Sequence, residues 1–130
     1  MKAMKIDYRR LNHVTIAAPA GEHARVRAFY GGVLGLREIE RPGALGGVYD
    51  LIWFEWMDLV LHIDFTPPWF QPAENRHVAV EVADLAAVRV CLRERGAEIR
   101  EAVVIPDRER FYVLDPFGNY FEFLEMKPGQ

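Results

Sequence analysis

Three histidines and a glutamate carry most of the chemistry this chain could do. His13 and His62 stand 49 residues apart, and His77 and Glu122 stand 45 apart. Each falls in an alternating run. In Leu11 to Ala17, Val14 and Ile16 face one way and His13, Thr15 and Ala17 the other. Val78, Val80 and Val82 form an apolar row that turns His77, Ala79 and Glu81 to the opposite face. Phe121 and Phe123 share a face and leave Glu122 on the other with Tyr120, while His62 alternates with Leu61 and Ile63. Three imidazoles and a carboxylate that converge suit a divalent transition metal such as Zn, Ni, Mn or Fe. Taken singly, each His serves equally well as a hydrogen-bonded structural residue. The metal reading rests on the four occurring at matched positions. Cys91 is the single cysteine and lies on a helical stripe, so soft-ligand sites and disulfides are excluded. His23, in a polar helix turn, reads as a solvated surface residue.

The elements that must position these residues repeat. A strand over Leu11 to Ala17 precedes a helix over Glu22 to Leu34, whose stripe is Val26, Phe29, Tyr30 and Val33, ended by Gly35. Arg41-Pro42-Gly43 and Gly46-Gly47 are turn chemistry. Strands over Val48 to Trp56 and Leu59 to Phe65 follow, turning at Met57-Asp58. Thr66 to Asn75 holds three prolines without periodicity and reads as a linker. The programme then recurs: a strand over Arg76 to Val82, an N-cap at Asp84, and a helix over Leu85 to Arg95 with the stripe Leu85, Val88, Cys91 and Leu92, ended by Gly96. Strands at about Glu98 to Ile105, Phe111 to Leu114 and Asn119 to Leu124 close it, the last two joined by Asp115-Pro116-Phe117-Gly118. A twofold repeat of strand, helix and further strands is too short for a solenoid and points to two half-barrels around a cleft.

Composition sets outer bounds. With 130 residues, a single α+β domain is expected over 1–130, as module one at about 11–65, a linker at about 66–75 and module two at about 76–126. A chain of this size buries roughly two-thirds of its unfolded surface, enough for a core without staples. Sixteen basic against nineteen acidic residues, a net charge of −3, argue against a general nucleic-acid binder. No apolar run approaches the ~20 residues that cross a bilayer, so no membrane partner is expected. Met1 to Arg10 is basic but lacks the apolar stretch and cleavage site of a secretory signal, which leaves the cytoplasm as the expected compartment.

At these residues the chain resembles the vicinal oxygen chelate superfamily, the glyoxalase, bleomycin-resistance and dioxygenase group, in its small bacterial glyoxalase-family form. The matching pieces are Leu11-Asn12-His13-Val14-Thr15, Phe29-Tyr30 through Val33-Leu34-Gly35-Leu36, Arg76-His77-Val78-Ala79-Val80, and Phe111 to Asn119 leading to Glu122. The resemblance implies two tandem βαβββ modules forming an incomplete barrel, commonly in a homodimer, with His13, His77 and Glu122 as metal ligands. His62 occupies the fourth position, where glyoxalase I enzymes place the carboxylate base that moves a proton between carbons. Thr15 and Tyr112 match pocket residues of fosfomycin-modifying thiol transferases. Those enzymes use further cations around the phosphonate, and here Lys127 is the only late one. Extradiol dioxygenases use two His and one carboxylate, but usually carry additional modules.

Two functions from different classes follow. The first is a metal-dependent lyase, isomerase, thiol transferase or dioxygenase whose small substrate chelates the metal through neighbouring oxygens. Glu122 and Tyr112 would act in catalysis, and Thr15, Arg110, Tyr120 and Trp53 would contact substrate. The alternative is a non-catalytic drug- or small-molecule-binding dimer, for which Trp53, Phe54, Trp56, Trp69 and Phe70 supply aromatic walls. For Arg108 and Arg110 the competing role is surface ion pairing with Asp107 and Glu109, and for most of the aromatics it is the core or a dimer interface. In an exchanged dimer, one site would take His13 and His62 from one subunit and His77 and Glu122 from the other.

Overall fold

The structure, a computed structural model, describes residues 5–42, 49–73 and 75–129. Of the expected turn residues, Gly43, Gly46 and Gly47 lie outside them. Strand β1 (His13–Pro19) leads to helix α1 (His23–Val26), which runs on as a π-helical segment (Arg27–Val33). There the Leu34 amide donates to the Phe29 carbonyl at 2.9 Å. The wider ladder coincides with Gly31-Gly32, where backbone freedom is greatest. Strands β2 (Arg37–Ile39), β3 (Leu51–Trp56) and β4 (Leu59–Thr66) complete the first module. The second has β5 (His77–Glu81), α2 (Leu85–Glu94), β6 (Glu98–Glu101), β7 (Arg108–Leu114) and β8 (Tyr120–Met126).

Each module forms one mixed four-stranded sheet, in the orders β1-β4-β3-β2 and β5-β8-β7-β6, with the first pair of each parallel and the rest antiparallel. This is the expected α+β fold of two βαβββ-like modules, and the sheets do not close into a barrel. Sequence periodicity misses β2, which is only three residues long. It also overextends β6, which ends at Glu101 because the chain bends away before Arg108. Gly35 and Gly96 end the helices with φ of 72° and 79°, the left-handed C-terminal stop that glycine takes without strain. Asp84 caps α2, its Oδ1 accepting from the Ala87 amide at 3.0 Å.

The register repeats as well. In β1–β4, Thr15 opposes His62, and in β5–β8, Ala79 opposes Glu122. His13 and His77 therefore each sit diagonally from the polar residue of the neighbouring strand. On β3 and β7, Trp53 opposes His62 and Tyr112 opposes Glu122.

The helix-side faces of both sheets share one core. Ile52, Phe54 and Trp56 of β3, Leu61 and Ile63 of β4, Phe111 and Val113 of β7, and Phe121 of β8 are all buried. Tyr30 bridges the modules, its ring 5.8 Å from Phe54 and 5.9 Å from Phe121. Its hydroxyl donates to Asp115 Oδ2 at 2.6 Å, in the β7–β8 turn. Because this core takes up the helix sides of both sheets, the opposite faces, which carry the polar residues, stay open.

Candidate functional site

On the open face of the first sheet three rings stack. Trp53 and His62 have centroids 4.1 Å apart and planes within 10°, and His62 and His13 are 4.2 Å apart and within 5°. The cross-strand register produces this ladder, since neighbouring side chains on one sheet face lie within stacking reach. Burial first, and the neighbouring His13 second, lower the His62 pKa below its ordinary value, which favours a neutral His62 ring. His13 Nδ1 pairs with Asn12 Oδ1 at 2.9 Å.

The open face of the second sheet is polar. His77 Nε2 lies 3.2 Å from Glu122 Oε1. Arg110 Nη1 reaches the same oxygen at 3.4 Å and donates to the Tyr112 hydroxyl at 3.0 Å. Arg110 Nε and Nη2 both donate to the Val103 carbonyl, at 3.1 and 2.8 Å. Four of the five guanidinium N–H groups are thus engaged. Arg110 turns inward rather than pairing with Glu109, which faces Lys127, whereas Arg108 does pair with Asp107. The alternation that puts Tyr112 on this face puts Arg110 there too, which is the signal that surface pairing overlooked. Tyr112 and Tyr120 pack edge to face at 5.8 Å, and Arg100 donates to the Tyr120 hydroxyl.

Between the edge strands β1 and β5 lies a cleft of about 560 Å³, lined among others by Thr15, Ala17, His77, Asn119 and Tyr120. Asn119 Nδ2 closes part of the gap by donating to the Ala17 carbonyl at 3.3 Å. The structure therefore brings His13 to His62, and His77 to Glu122, but not the two pairs to each other. Among the described residues, no group of three or more His, Cys, Asp or Glu side chains comes together.

The donor types suit a divalent metal. Their arrangement in one chain does not: they form two pairs on two sheets, and the Glu122 oxygen already holds a guanidinium. Parallel stacking adds to the mismatch, because imidazole lone pairs lie in the ring plane and a metal bound in the plane of His62 falls well outside that of His13. His23 is not a free surface residue. It pairs with Asp50 at 2.8 Å and stacks on Phe65 at 3.8 Å. Among the remaining aromatics, Phe54 and Trp56 are core, whereas Phe70 is 80% exposed.

Two four-stranded sheets of repeated βαβββ register, each presenting an open polar face, define a member of the vicinal oxygen chelate superfamily. The model of the glyoxalase-like domain matches residues 13–124, and the chain belongs to that family. A glyoxalase family protein from Bacillus anthracis is 36% identical, with 95% of this chain and 100% of that chain covered and a TM-score of 0.87. At 20% identity, an antibiotic binding protein from a Streptomyces species shares the fold, with 92% and 100% covered and a TM-score of 0.67. So does a genomically encoded fosfomycin resistance protein from Listeria monocytogenes, at 15% identity, with 94% and 97% covered and a TM-score of 0.73. A search of curated protein sequences gives no match. Among the described residues no helix is long and apolar enough to cross a membrane.

Proposed function

We propose that this chain is a small-molecule-binding protein whose ligand is flat and oxygen-bearing, held on the open sheet faces without a metal. The observation that carries this is the Trp53–His62–His13 ladder, a stack of three near-parallel rings that ends at the exposed ring of His13. The three rings cover one another's faces, so a planar ligand would extend the stack from its His13 end. Thr15, His77 and Tyr120, lining the adjoining cleft, supply hydrogen-bonding groups that would orient a ligand. The pairing of two chains face to face would enclose the stack, and a homodimer is part of this reading. A native mass of twice 15.0 kDa is its check in solution.

The test is a titration of chelator-treated protein with flat oxygenated aromatics, catechols and hydroxyquinones among them, read by tryptophan fluorescence. Saturable quenching that Trp53→Ala abolishes supports the proposal. Absence of saturable binding by metal-free protein, together with turnover by Zn-, Ni-, Mn- or Fe-loaded protein, overturns it.

That second outcome corresponds to a reading favoured by one observation, the preassembled pair of His77 and the largely buried Glu122. Across a dimer this pair would meet His13 and His62 of the second copy. A metal held there would supply Lewis-acid polarisation of neighbouring substrate oxygens, making the chain a metal-dependent enzyme of the lyase, thiol transferase or dioxygenase kind.

A further inference from the structure

We propose that Arg110 is a built-in counter-cation for Glu122, which holds the carboxylate in place of a metal and sets how readily a divalent cation can bind there. Glu122 has a side-chain exposure of 8% and Arg110 of 13%, so this contact is shielded from water on most sides. A carboxylate buried to that degree requires a partner charge or several donors. His77 meets Oε1 at 3.2 Å, and Arg110 supplies the permanent positive charge at 3.4 Å.

The guanidinium is anchored rather than adventitious. Its Nε and Nη2 grip the Val103 carbonyl, in the segment between β6 and β7, and its Nη1 spans Tyr112 and Glu122. This fixed fork is a property of arginine that lysine does not share. A metal bonded to Oε1 at about 2.1 Å would stay within about 5.5 Å of Nη1. A dication and a guanidinium at that separation in a partly buried site repel strongly enough to weaken cation binding by at least about tenfold. Relief of that repulsion would draw Arg110 away from Glu122 and loosen its hold on the Val103 carbonyl. The inference concerns the cation affinity of Glu122 alone and holds whichever ligand the open faces take.

Isothermal titration of chelator-treated protein with ZnCl2 or NiCl2 tests it, with Arg110→Gln, Arg110→Lys and Glu122→Gln compared by circular dichroism for folding. Arg110→Gln is expected to bind the metal at least about tenfold more tightly than the unaltered chain. Arg110→Lys should gain less, and Glu122→Gln should remove the gain when combined with Arg110→Gln. Equal metal affinity in the unaltered chain and Arg110→Gln, or weaker binding in Arg110→Gln, overturns the proposal. If Arg110→Gln fails to fold, the unaltered chain gives the answer through its arginine Nε–H resonances at high metal concentration. The Arg110 signal should shift, and exchange faster with solvent, in step with metal uptake. Metal uptake at Glu122 that leaves this signal unmoved also overturns it.

Discussion

Substituting Tyr30→Phe isolates a single hydrogen bond that ties the two modules together. The tyrosine is fully buried, and its hydroxyl donates to Asp115 Oδ2 at 2.6 Å across 85 residues of chain. The same carboxylate accepts from the Phe117 and Asn119 amides, both at 2.8 Å, and from Asn119 Nδ2 at 2.6 Å. Removing the hydroxyl keeps the ring between Phe54 and Phe121, and leaves Asp115 with its three local donors. The loss is one charge-assisted bond, about 1.5–3 kcal/mol. For a domain of this size that corresponds to a fall in Tm of about 5–10 °C.

The bond also has a pH signature. Burial first, and Asp115 second, raise the Tyr30 pKa well above 10.0. The folded state therefore keeps a proton that the unfolded chain releases. Its contribution is fully present below about pH 10 and is lost as pH rises towards the folded value, at about 1.4 kcal/mol per pH unit. Urea unfolding at pH 7 and across pH 9.5–11 measures both effects. A Tyr30→Phe chain within about 0.5 kcal/mol of the unaltered one at pH 7, or with the same alkaline slope, would refute the reasoning.

Two further outcomes are expected. Asp84→Ala should cost about 1 kcal/mol in urea unfolding through loss of the α2 cap, and not more, because the Leu85 amide also donates to Glu125 Oε1 at 2.8 Å. An unchanged midpoint would contradict that cap. His62 should titrate by NMR below its ordinary 6.5, as burial and His13 dictate, and move up towards it in Trp53→Ala; a value unmoved by that substitution would mean the stack does not bury it. The sign follows from the lowered folded value: the His62 contribution is present above about pH 6.5 and is lost as pH falls through the folded value.

Much of this was legible in the residues. The period-two runs placed His13, Thr15, His62, His77, Tyr120 and Glu122 on the sheet faces opposite the apolar rows, and the structure keeps them there. Asp84 and the two glycine stops marked helix ends, because capping and left-handed φ are local requirements. The first helix was legible as a buried stripe of Val26, Phe29 and Tyr30, but not as a π-helix, since the stripe looks much the same over so few turns. Nor could periodicity pair Tyr30 with Asp115 or Arg110 with Glu122. Alternation says which face a residue occupies and nothing about which distant group meets it there.

By itself, then, the sequence determined the repeat, the sheet faces and the residues on them, all of which follow from local alternation and turn chemistry. Only the tertiary structure decided which groups meet. Packing both helix sides into one core turns the two His/Glu-bearing faces outward, so a single chain holds its ligand-type residues as two separate pairs. The free energy of burying Tyr30, Phe54, Trp56 and Phe121 together sets that arrangement, and no spacing along the chain encodes it.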